Sequence, residues 1–191
     1  MPRVDDLDLD KLTPEQRRVH DAIVSGPRGA VQGPLRVWLQ SATLADRAQA
    51  LGAFCRFGTS LPPRLSELAI LVTGAYWRAR FEWYAHAPLA LKAGLDADAI
   101  EAIRTGRTPH WTREDEAAVY AFARELTFTR QVSDPIYARA QQLLGLTALV
   151  ELVGVLGYYT LISMTINAFE VPLPAGASDP FADLPPRPPS P

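Results

Sequence analysis

The chain has 191 residues and a single cysteine, Cys55. No intrachain disulfide can form, and no Cys-x-x-Cys pair is present to cycle between thiol and disulfide. A lone thiol agrees with a reducing compartment, so a cytoplasmic location is expected. Histidine is also scarce: only His20, His86 and His110 occur, without a His-x-x-x-His spacing or a cysteine cluster, so no metal site and no cofactor is expected. Long basic runs are missing. With 19 Lys and Arg against 21 Asp and Glu, the net charge is -2, which argues against nucleic acid as a partner. The first ten residues are acidic and lack an apolar centre, unlike a secretory signal. Sustained β alternation and Asn-Gly hairpin turns are absent, which leaves an all-α fold.

What is present is apolar and helical. Hydrophobic residues make up 48% of the chain, enough to bury the core of one ordinary domain. Thr13-Pro14-Glu15-Gln16 predicts a capped helix start, and the helix should stop before Gly26-Pro27. Residues 31–39 read as irregular or one short turn. Further helices are predicted over 43–57, 65–77, 81–93 (with Pro88 kinking it or shifting its start) and 96–104. Another opens at Thr112-x-x-Asp115, and one from Asp134 is closed by Gly145. Thr147 should cap a long final helix that Pro172 ends. From Ala148 to Ile166 the only charge is Glu151, and the length could span a bilayer. Interspersed Thr160, Ser163 and Thr165, and flanks without Lys or Arg, favour a buried core helix instead, so no membrane partner is expected. Three regions follow: residues 1–59 as a helical extension packed on the core, 60–174 as the core, and 175–191 as a Pro-rich tail, flexible or an inter-subunit arm.

Three polar residues stand where a core would normally exclude them. Glu67 heads the apolar segment Leu65-Ser-Glu-Leu-Ala-Ile-Leu-Val, while Glu82 and His86 lie four apart on one helix face. A carboxylate beside a histidine fixes its tautomer and raises its basicity, leaving the other ring nitrogen free to move a proton. A second glutamate in an apolar site would be a weaker acid, which also suits proton transfer near neutral pH. The plainer alternative is a surface i,i+4 ion pair, with Glu67 merely complementing a helix dipole.

Glu67, Glu82 fifteen residues later and His86 four after that are framed by recognisable segments. These are Leu61-Pro-Pro-Arg-Leu-Ser-Glu, Glu82-Trp-Tyr-Ala-His86, Ala90-Leu-Lys-Ala-Gly-Leu95, Glu151 to Tyr159 and Asn167 to Pro172. From about Ser60 to Pro174 the chain resembles the carboxymuconolactone decarboxylase and alkylhydroperoxidase-D superfamily. The cysteine positions of its peroxidase branch fall here on Ala79 and Glu82, so the disulfide-cycling mechanism is excluded and the decarboxylase-like branch remains.

The resemblance implies a compact alkylhydroperoxidase-D-like domain of about eight helices that assembles into trimers or hexamers, with a dimer as the minimal form. It implies a small-molecule substrate, a carboxylated lactone or related acid, decarboxylated by cofactor-free general acid–base chemistry. His86 would carry the proton, Glu82 would orient it and Glu67 would share the network. Trp83, Tyr84 and Tyr158 are candidate substrate-binding walls, with plain core packing as the alternative for each. Arg56, Arg64, Arg78 and Arg80 are candidates to meet an anionic substrate. A non-catalytic helical oligomer, or a superfamily member without the thiol mechanism, are the competing readings. Buried, mutually bonded Glu67, Glu82 and His86 facing a pocket would favour the enzyme; an exposed His86 would not.

Overall fold

The computed structural model describes residues 2–186, and among them there are eight α-helices and no strand. The helices are α1 (Pro14–Ser25), α2 (Pro34–Trp38), α3 (Ala42–Phe57), α4 (Pro63–Trp77), α5 (Arg80–Lys92), α6 (Ala97–Thr105), α7 (Glu114–Thr129) and α8 (Asp134–Phe169). Their ends follow local chemistry. Thr13 Oγ1 accepts from the Gln16 amide at 3.2 Å while Gln16 Oε1 accepts from the Thr13 amide at 3.0 Å, the reciprocal bonds of a capping box. Asp96 accepts from the amides of Asp98 and Ala99 to start α6, and Gly106 at φ 74° closes it.

Three boundaries depart from the sequence reading. α5 runs through Pro88 without a recorded break, sacrificing only the bond that ring would have donated to Tyr84. Arg113 and not Thr112 is the N-cap of α7, whose first turn is acidic (Glu114, Asp115, Glu116) and so complements the helix dipole directly. Gly145 breaks the helical path where the sequence placed the end of a helix, with φ 78° and ψ 165°, and two helical stretches meet there across a kink. Thr147 lies inside the second stretch and is not its cap.

α4 is the central helix. Every residue from Leu68 to Thr73 is buried, because α5, α7 and α8 pack around it. α8 is the second spine. It is long and apolar enough to cross a membrane, yet 56% of its most apolar window is buried inside the fold, as for a core helix. The extension packs onto this core through α2 and α3, both against α8. The Pro-rich segment, expected to be flexible or to reach a neighbour, lies on its own chain as far as Pro186. Phe181 is buried against Trp83, and Arg104 binds both Asp183 and the Pro180 carbonyl. One buried aromatic and one bidentate ion pair offset the entropy of ordering the segment. The rest of the tail lies outside the described residues.

Candidate active site

α4 and α5 form an antiparallel hairpin whose turn is made by Arg78, in the left-handed region at φ 46°, and by buried Ala79. The two helices pack closely where Gly74 faces Glu82: a Cβ on Gly74 would sit in ordinary van der Waals contact, 3.9 Å from the Glu82 Cγ. This closeness brings Glu67 of α4 to the ring of His86, nineteen residues further on in α5.

The imidazole is held from both sides. His86 Nδ1 lies 2.7 Å from Glu67 Oε2, and Nε2 lies 2.9 Å from Glu82 Oε1. Neither ring nitrogen is free to meet a substrate, contrary to the sequence expectation, because a second carboxylate arrives from the facing helix. The pair is not a surface pair either, since His86 and Glu82 are each only 4% exposed. Burial alone would lower the imidazole's pKa. The Glu82 charge and the hydrogen bonds to Glu67 and Glu82 outweigh it and raise the value from 6.5 to about 9. At neutral pH His86 is thus an imidazolium donating one N–H to each glutamate side chain. Tyr159 closes the ring's remaining side edge-on, at 5.1 Å between centroids.

Glu82 is the end of this chain that reaches open space. With His86, Tyr84, Tyr158, Tyr159, Arg28 and Arg56 it lines a cavity of about 280 Å³. Glu82 lines this cavity and Glu67 does not, so Glu82 is the triad carboxylate that a bound molecule would meet. A larger cleft of about 530 Å³ shares Gln32, Phe81 and Pro174 with this cavity, but the triad does not line it and its Arg36 and Asp6 pair with each other. The smaller space is the one beside the chemistry.

Of the proposed wall residues, Tyr84 and Tyr158 line the cavity and Trp83 does not. Trp83 is buried against Phe181, because successive helix positions point about 100° apart and Glu82 already faces the site. Arg64 is taken by Asp115 and Glu116, tying α4 to α7. Arg78 donates to the Pro185 carbonyl and Arg80 pairs with Asp179, so both hold the C-terminal segment. Arg56 alone of the four faces the cavity. Cys55 is fully buried on α3, and burial pushes its thiol pKa up despite the nearby Arg28 charge. Such a thiol is a poor nucleophile. No cluster of three or more metal-binding side chains occurs among the described residues.

Among the lining residues that escaped the sequence reading are Tyr159 and Arg28. Tyr159 stood beside a named candidate, and its helix position relative to Tyr158 was legible. Arg28 sits in the Gly26-Pro-Arg-Gly29 turn, where no periodicity assigns a direction; its only signal was a charge among turn residues.

No family model matches the sequence, and no curated protein matches it. Solved structures do share its fold. An uncharacterised peroxidase-related protein from Silicibacter sp. TM1040 superposes with a TM-score of 0.72 at 15% identity, covering 91% of this chain and 93% of that one. A protein of unknown function from Agrobacterium tumefaciens, proposed to be an antioxidant-defence AhpD protein, superposes at 0.65 with 14% identity, covering 75% and 99%. The chain therefore has the all-helical AhpD-like fold.

Proposed function

We propose that the chain is a decarboxylase-like enzyme that moves a proton through Glu82 on a small carboxylated lactone or related acid. The observation that supports this reading is the buried Glu67–His86–Glu82 chain ending on a cavity. A structural ion pair needs no adjoining cavity, whereas a proton donor does. In the reaction the bond from the carboxylate carbon to the substrate breaks and carbon dioxide leaves. The electron pair passes to the conjugated carbonyl as an enolate, and protonated Glu82 then delivers its proton to carbon. Water restores that proton before the next turnover. His86 positions Glu82 and Glu67 balances the imidazolium, so the histidine acts through the glutamate.

Assembly with further copies of the chain belongs to the same reading. Leu146, Val150, Val153, Leu161 and Met164 are exposed along α8, and they form an uncharged face fit for a second copy. The free thiol suits a cytoplasmic location.

Lactones and β-keto or vinylogous acids, screened by carbon dioxide release, provide the substrate. Glu82→Gln should then lower turnover by about 10²- to 10⁴-fold. Cys55→Ser should leave it unchanged. Near-normal turnover in Glu82→Gln, with the fold intact by circular dichroism, refutes the assignment.

A further inference from the structure

We infer that Arg28, together with the Tyr158 hydroxyl, is the anchor for a carboxylate that the substrate keeps through the reaction. Arg28 Nη2 donates to Tyr158 Oη at 3.1 Å, across 130 residues of sequence. Its Nε is buried with no partner, and no carboxylate pairs with the guanidinium among the described residues. Arg64 and Arg104, by contrast, each hold two carboxylates. A buried donor left unpaired is unfavourable, and a guanidinium edge matches the two oxygens of a carboxylate. Tyr158 accepts from Arg28 and keeps its own proton to donate. Burial raises the phenol's pKa to about 12, the Arg28 charge opposing and Glu82 adding to the rise, so the hydroxyl remains a donor at any physiological pH.

The surroundings are shaped for this pair. Gly52 of α3 lies beneath it: a Cβ there would fall 2.0 Å from Tyr158 Oη and 2.4 Å from Arg28 Nη2. Arg56 is a second cation lining the same cavity, its guanidinium 5.1 Å from the centroid of the Phe57 ring. Arg28 and Arg56 put two cations in the lining of a cavity whose one carboxylate side chain is Glu82, which suits an anion.

The chemistry selects which anion. A carboxylate departing as carbon dioxide must lose its charge, so a guanidinium clamped on it would stabilise the ground state and slow the step. Arg28 therefore suits a carboxylate that does not react. The substrate class is an acid with a retained carboxylate at one end and the proton-accepting carbon placed toward Glu82. This assignment deepens the decarboxylase-like reading, yet the anchor binds an anion whether or not that reading holds.

Benzoate, an inert carboxylate, and neutral benzamide are the probes, titrated by calorimetry. The wild-type protein should bind benzoate and prefer it clearly over benzamide. Arg28→Gln should weaken benzoate binding roughly 10- to 100-fold, the loss expected for a charge-assisted pair. Arg28→Lys should fall between the two, because it keeps the charge and loses the fork. Exposed Arg47→Gln should bind as wild type. Glu82→Gln, which tests the proton chemistry, should still bind benzoate, so a failed turnover assay and a failed anchor give different results. Wild-type affinity in Arg28→Gln, equal affinity for the two probes, or no benzoate binding in the wild type each overturns the anchor. Thermal melts of the Arg28 variants exclude unfolding as the cause of a loss.

Discussion

Replacing Glu67 by Gln removes one of the two charges that hold the His86 ring while keeping the size of the side chain. In the native protein the imidazolium is favoured from both nitrogens, and its pKa rises from 6.5 to about 9. That difference corresponds to about 3 kcal/mol of folding free energy. The native pKa is above the unfolded one, so the contribution is complete below about pH 6.5 and is lost as the pH climbs through about 9. Wild-type stability, read from urea unfolding at a series of pH values, should therefore decline across that alkaline window. Glu67→Gln removes a Coulombic and a hydrogen-bond contribution, so its His86 should titrate at least about one unit lower and its stability curve should flatten. Ring carbon NMR resolves the titration directly, because only His20, His86 and His110 are present. If all three titrate near their ordinary value and wild-type stability is level across the window, His86 is not an imidazolium held by two carboxylates. The proton chain then fails as well.

Two other perturbations probe the site and the assembly. Gly52→Ala would gain about 1 kcal/mol from helix propensity alone, but its Cβ strikes Tyr158 and Arg28, and overpacking costs about 1–3 kcal/mol. A net loss of stability together with weaker benzoate binding is expected, and a more stable variant that binds normally would contradict the close packing. Light scattering should find a trimer, a hexamer or at least a dimer, and a Val150→Lys, Val153→Lys double variant should dissociate it. A wild-type monomer at micromolar concentration would leave the exposed α8 face without the second copy proposed for it.

Helix positions were legible because their signals are local. The Thr13 capping box, the Asp96 cap, the glycines at 106 and 145 and the apolar run of α4 act within a turn or two of where they occur. Glu82 and His86 could be placed on one face for the same reason, since a helix of known period fixes the direction of residues four apart. Which side of a helix meets a cavity is another matter, and there Trp83 packs on the tail while Glu82 faces the opening. Arg64, Arg78 and Arg80 were indistinguishable from Arg56 in sequence, because their partners Asp115, Pro185 and Asp179 are brought near only by folding.

The sequence by itself determined an all-helical chain without dithiol chemistry, and it singled out Glu67, Glu82 and His86 as polar residues out of place. Only the tertiary structure decided what these residues are to one another. Glu67 reaches His86 because α4 and α5 fold back at Arg78, and that contact occupies the ring nitrogen that spacing alone leaves free. Arg28 meets Tyr158 because α3 offers a bare glycine between a loop near one end of the chain and a helix near the other. Such contacts depend on how whole helix faces pack, and packing is set by every buried side chain at once, with no signature at the two positions that touch.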